Sequence, residues 1–76
     1  MSWKEENDAL VKEFKFKDFA EAMAWMVKAG YAIEKLDHHP EWSNVYNKVT
    51  VRLTTHDAGN TVTDKDRQLA EILDKI

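Results

Sequence analysis

Apolar and polar positions recur along the chain with two periods, and the switches between them mark six elements. Residues 3 to 16, "WKEENDALVKEFKF", hold the turn formers Asn7 and Asp8 in their middle, which predicts two short strands around a turn. Beyond the turn, Leu10, Phe14 and Phe16 fall on one side of the second strand; Val11, Glu13 and Lys15 fall on the other. From residue 18 to about 36 the period lengthens: Phe19, Met23, Met26, Gly30 and Ile33 recur at spacings of three and four, a helix face. Asp18 followed by Glu21 matches a capping box with Asp in the Ser or Thr position. Ala22, Trp25, Ala29 and Leu36 widen the stripe, so this helix is expected to meet more than one surface, its Met and aromatic residues packing the core. Gly30 costs about 1 kcal/mol relative to Ala inside a helix, and marks a close contact or a weakened turn.

Pro40 limits that helix. The residue before a proline avoids the helical region, so His39 is expected to be extended and the helix to stop near Asp37. Residues 41 to 46 and 48 to 55 predict a hairpin, with Asn47 and Lys48 close to its turn. In the second strand Val49, Val51 and Leu53 alternate with Thr50, Arg52 and Thr54. "THDAGNTV" reads as a loop, and residues 64 to 76 as a helix opened by Thr63, with Asp66 three positions on. Leu69, Ile72, Leu73 and Ile76 form its apolar stripe. The order strand, strand, helix, strand, strand, helix predicts an α+β fold. Its four-stranded antiparallel sheet would carry both helices on one face, in one domain over residues 1–76.

Composition narrows the function classes. With 76 residues and 43% apolar content the core is small, and no cysteine is present to staple it, so burial against further copies of the chain is expected. The lack of thiols excludes disulfides and thiolate metal sites and fits a reducing cytoplasm. No apolar run approaches the roughly 20 residues of a membrane span, and no secretory signal pattern is seen at the polar start. A net charge of −3 without a basic stripe argues against direct nucleic-acid binding.

The chemistry-bearing stretch is "EKLDHHPEWSNVY", residues 34 to 46, in which two adjacent histidines precede the only proline. Neighbouring residues on an extended segment point in opposite directions, so His38 and His39 are poorly placed to share one metal ion, and the spacing H-E-x-x-H is absent. A histidine at a helix C-terminus feels the negative end of the dipole, and Asp37 beside it and Glu34 one turn earlier also favour imidazolium. Such a group can donate a proton near neutral pH and regain it. Capping carbonyls or facing solvent is the plainer role for any single histidine. His56, the third and last histidine, lies at the exit of the long strand and by period two shares a face with Thr54 and Arg52. If that end meets the Asp37 to Pro40 corner, three imidazoles surround one cleft, with Trp42, Tyr46 or Trp3 as an aromatic wall. This arrangement suits acid–base chemistry on a small planar molecule.

The pattern "EKLDHHPEW-N-YN-V", followed by "L-THDAG" and "T-D-LA", resembles the pterin-4a-carbinolamine dehydratase family, also known as dimerisation cofactors of a homeodomain transcription factor, from Trp3 to Ile76. The resemblance implies dehydration of 4a-hydroxytetrahydrobiopterin to quinonoid dihydrobiopterin in tetrahydrobiopterin recycling, with pterin as substrate and no cofactor. It makes His38, His39 and His56 the catalytic histidines: His38 and His56 as proton donors, His39 for pterin binding or base work. Glu34 would orient His38, Pro40 would hold the loop, and Asp37, Trp42 and Asp66 would bind or orient. For Asp66, pairing with Thr63 at the start of the last helix is at least as strong an expectation. The resemblance also implies a homo-oligomer, dimer or tetramer, and a transcription-factor partner in some members. It leaves two alternatives to the enzyme: an interaction module and a pterin-binding protein of reduced activity. Against the common pattern, the usual N-terminal helix is missing before Trp3, the loop after His56 is one residue longer, Ser43 replaces a bulky aromatic, and Gly30 replaces a better helix former.

Overall fold

The computed structural model describes residues 2–76. Strands β1 (Lys4–Glu6) and β2 (Ala9–Lys15) flank a two-residue turn in which Asn7 and Asp8 both take positive φ, 50° and 60°. Turns of that hand match the twist of paired strands, and Asn and Asp tolerate them best among residues with a side chain. Helix α1 (Phe19–Leu36) follows, then β3 (Glu41–Val45), β4 (Lys48–Leu53), a single 3₁₀ turn (His56–Ala58) and helix α2 (Asp64–Asp74). The sheet is antiparallel throughout in the order β1-β2-β4-β3. The expected α+β architecture is therefore present, with both helices on one face.

Register aligns the apolar rows. Leu10 pairs with Leu53, Phe14 with Val49, and Trp42 with Val51, so alternate residues of three strands face the helices. Against them pack Ala22, Trp25, Ala29 and Ile33 of α1 and Leu69, Ala70 and Leu73 of α2, all buried. Trp25 is the hub of the aromatic cluster, with ring centroids 4.5 Å from Phe14, 5.5 Å from Phe16 and 6.3 Å from Trp42.

Several local expectations are corrected. In α1 the buried line runs through Ala22 and Trp25, while Phe19, Met23, Val27 and Tyr31, spaced four apart, leave 42–76% of their surface in solvent. Ala22 and Ala29 let the helix approach the sheet, which turns the flanking large residues outward. The hairpin turn falls at Tyr46 and Asn47, one residue earlier than expected, with Tyr46 at φ 52°. Strand β4 ends at Leu53, and the following loop contains the 3₁₀ turn. In α2, Ile72 is half-buried and Ile76 lies beyond the helix, 40% exposed. Asp18 Oδ1 accepts the Glu21 N–H at 2.9 Å, whereas Glu21 reaches back past the cap to the Lys17 N–H at 2.8 Å.

Gly30 makes no close contact: a Cβ built there would meet nothing within 4 Å. Glycine there adds conformational freedom to the unfolded chain that alanine would remove. Gly30→Ala is expected to stabilise the fold by about 0.5–1 kcal/mol, raising the urea midpoint at unchanged slope. A lower midpoint would show a contact formed by that helix surface.

Candidate active site

Three chain ends meet at one end of the sheet: the C-terminus of α1, the exit of β4 and the N-terminus of α2. Helix α1 closes on Asp37 in the left-handed region (φ 55°, ψ 45°), with the Asp37 N–H on the Glu34 carbonyl at 3.1 Å and the His38 N–H on the Ile33 carbonyl at 3.3 Å. This is a Schellman stop with Asp where Gly is usual. The reversal separates the adjacent histidines as their spacing predicts. His38 turns inward and is 9% exposed; His39 stays at the surface.

His38 meets Asp66. The His38 Nε2 lies 2.5 Å from Asp66 Oδ1, while Asp66 Oδ2 accepts the Thr55 hydroxyl at 2.7 Å and the Thr63 N–H at 2.9 Å. The carboxylate is wholly buried yet every oxygen has a donor. Burial alone would push its pKa up. The hydrogen bonds from His38, Thr55 and the Thr63 backbone, with the charge on His38, outweigh that and hold it below the usual carboxylate range. An ionised carboxylate only accepts, so the Nε2 of His38 carries the proton. No buried side-chain nitrogen or oxygen among the described residues lacks a partner, so His38 Nδ1, which has none in the protein, opens to solvent. It is therefore the ring nitrogen left for a further hydrogen bond.

Asp66 joins two roles that the sequence separates. It is the third residue of α2 reaching back to Thr63, and it is also the anchor of His38, 28 residues away in the chain. Glu34 is corrected: it bonds His39, Oε1 to Nε2 at 2.9 Å, and not His38. The chain reversal at Asp37 carries His38 under the helix end and leaves His39 beside the last turn.

His56 opens the 3₁₀ turn, so its direction is set there and not by the strand period. Arg52 instead bonds Glu41 at 3.2 Å and the Asn7 carbonyl at 3.3 Å. The turn is closed by Gly59 (φ 84°) and pinned by Thr55 N–H to Thr61 carbonyl at 2.9 Å and Asn60 N–H to Thr55 carbonyl at 3.1 Å. His56 Nδ1 sits 3.1 Å from the Asn60 side-chain oxygen, an acceptor, which leaves Nε2 free.

All three histidines line one cleft of about 200 Å³ together with Asp37, Thr54, Thr55, Asp57 and Lys65. The expected aromatic wall is not there. Trp42 faces the helix layer against Trp25, Tyr46 sits in the hairpin turn 62% exposed, and Trp3 packs on Phe14 with its Nε1 3.1 Å from Asp74. The pleat of β3 sends Trp42 inward opposite Val51, short of the end where the cleft lies. Pro40 is half-buried and lies outside the cleft lining, between His39 and β3. Thr55 and Lys65 were not singled out by sequence. The Thr-His pair and the basic residue in the first turn of α2 were the available signals.

The chain matches the sequence model of the family described as pterin 4 alpha carbinolamine dehydratase over residues 1–76. A curated relative from Opitutus terrae, named "Putative pterin-4-alpha-carbinolamine dehydratase", is 57% identical over 74 residues, which cover 97% of this chain and 76% of its own. One of the same name from Prochlorococcus marinus is 51% identical over 75 residues, covering 99% and 78%. Among solved structures, a transcriptional coactivator/pterin dehydratase from Brucella melitensis is similar at TM-score 0.91 and 43% identity, over 97% of this chain and 80% of that one. A pterin dehydratase-like protein identified as a RuBisCO assembly factor in the alpha-carboxysome shares the fold, with TM-score 0.85 at 22% identity over 99% and 88%.

The lowered pKa of Asp66 fixes the sign of one pH effect. Unfolded Asp titrates at about 3.9, so the stability from this carboxylate is complete above that value and is lost as pH falls through the lower folded value. The stability difference between the native chain and Asp66→Asn is expected to be fully present from about pH 5 upward and to shrink steadily below about pH 4 in urea titrations. A difference that stays constant down to about pH 2 would contradict the assigned charge.

Proposed function

The chain belongs to the pterin 4 alpha carbinolamine dehydratase family, and from that membership and its histidine cleft we propose that it dehydrates 4a-hydroxytetrahydrobiopterin. The observation that carries this reading is the convergence of imidazoles from two distant segments, one of them clamped on a buried carboxylate. In the reaction an acid protonates the 4a-hydroxyl, the C4a–O bond breaks, and the N5 lone pair forms the C4a=N5 bond. A base takes the N5 proton, so the products are quinonoid dihydropterin and one water. His38 donates through Nδ1, its Nε2 being held by Asp66. His56 donates through Nε2 from the 3₁₀ turn, so each imidazole can serve one of the two C4a epimers. His39, oriented by Glu34, binds the pterin or accepts the N5 proton. Asp37 and Lys65 border the ring's polar edge. The pterin is substrate and no further cofactor takes part in this scheme. We place the activity in tetrahydrobiopterin recycling in the cytoplasm; no described helix is long and apolar enough to cross a membrane.

A second reading is favoured by the exposed line Phe19, Met23, Val27 and Tyr31 on α1. We propose this as the surface on which copies of the chain associate, and on which an interaction function would act. The names of the Brucella and alpha-carboxysome proteins are compatible with such roles in this fold. Light scattering at micromolar concentration is expected to give a dimer or larger, and a stable monomer would contradict it.

The enzyme reading is tested by dehydration of 4a-hydroxytetrahydropterin. The native chain is expected to exceed the spontaneous rate, and His38→Ala to lose roughly 10²–10⁴-fold in kcat, the range for a lost general acid. His56→Ala is expected to lose activity mainly toward one epimer. Turnover no faster than the spontaneous reaction would overturn the enzyme, and full activity in both variants would overturn the residue assignment.

A further inference from the structure

The hydrogen-bond ledger around Asp66 extends the site by one residue. Thr55 Oγ1 lies 2.7 Å from Asp66 Oδ2 and 2.6 Å from Thr63 Oγ1, while Thr63 Oγ1 is 3.5 Å from the same carboxylate oxygen. One hydroxyl has one proton. An ionised carboxylate oxygen at 2.7 Å from Thr55 needs a hydrogen between them, so the Thr55 proton is committed to Asp66. Thr63 must then donate to Thr55. The opposite polarity would set two bare oxygens 2.7 Å apart and leave Oδ2 with its only hydroxyl donor at 3.5 Å, beside the Thr63 N–H. The donors therefore run one way, from Thr63 to Thr55 to Asp66, and His38 Nε2 supplies the donor on the other oxygen.

We propose that Thr55 is a positioning residue of the cleft, fixing the Asp66 carboxylate whose other oxygen holds His38. The Thr63 N–H anchors Oδ2 from α2, and a carboxylate held only there can rotate about its Cβ–Cγ bond. Thr55 supplies a second anchor from a different element, the exit of β4, and so fixes the plane in which Oδ1 meets the imidazole. The same residue holds the other proton donor by its backbone: its carbonyl accepts the Ala58 N–H at 3.3 Å and the Asn60 N–H at 3.1 Å, closing the turn that carries His56. One threonine thus ties together two imidazoles from segments separated by the whole β3–β4 hairpin. The kinetic part of this inference rests on the dehydratase reading; the positioning part does not.

The test compares Thr55→Val, which keeps the shape and removes the donor, with Thr55→Ser, which keeps the donor. Urea denaturation first confirms that both are folded. Long-range ¹H–¹⁵N spectra of the histidine rings then report the tautomer of His38, and dehydration kinetics separate kcat from KM. In the native chain and Thr55→Ser, the neutral His38 ring is expected to hold a single Nε2–H tautomer, so that the proton it takes up and donates is the one on Nδ1. In Thr55→Val that preference is expected to break down, with kcat falling on the order of tenfold and KM within about threefold. If Thr55→Val does not fold, Thr55→Cys, similar in size and a weaker donor, is read in the same way. An unchanged His38 tautomer in the folded donor-deficient variant, or failure of Thr55→Ser to restore it, would overturn the proposal. Absence of dehydratase activity in the native chain would remove the proposed reaction, and the ring spectra would still decide the role of Thr55.

Discussion

A carboxylate shut away from water must be given donors on every side, and Asp66 satisfies that constraint in a way that organises one whole end of the protein. Its side chain has no solvent-exposed surface. The donors come from three elements: the backbone at the start of α2, a hydroxyl at the exit of β4, and an imidazole just past α1. Left unpaired, a buried charge of this kind costs several kcal/mol, so each element end is held where its donor is needed. The geometry of the cleft follows from the electrostatics of a group that does not line it.

The adjacent histidines show how little chain is needed to give two similar side chains different environments. One residue in the left-handed region, Asp37, reverses the backbone. His38 then packs inward onto a buried carboxylate, while His39 remains outside on the exposed Glu34. Of the two, His38 is the one held by a buried partner, with Nε2 on Asp66 and one ring nitrogen unpaired. His39 and its partner Glu34 both lie in solvent.

What was legible in the sequence was what local chemistry decides. Asp18 and Pro40 bounded α1, Asn7 and Asp8 made the first turn, Thr63 with Asp66 opened α2, and alternation about Val51 gave the core strand. The convergence of three histidines was legible only as a condition, that two distant chain ends should meet. The partners were not. Glu34 is nearer His38 in a helical count, but the reversal at Asp37 gave it to His39, and no periodicity reports that. The width of the α1 stripe was visible, yet which part was buried depended on Ala22 and Ala29 allowing close approach to the sheet. Trp42 was read as a cleft wall by its nearness to the histidines along the chain, whereas the pleat of β3 sent it into the core.

The cleft as a single pterin site, with His38 as its fixed member, is tested most directly by titrating the ¹⁵N-labelled chain with a stable dihydropterin while following the three histidine rings. The account predicts saturable changes in His38, His39 and His56 with one common dissociation constant, and with Nδ1 as the responding nitrogen of His38. Saturation with all three rings unmoved, or with responses confined to the Phe19 to Tyr31 face of α1, would contradict it.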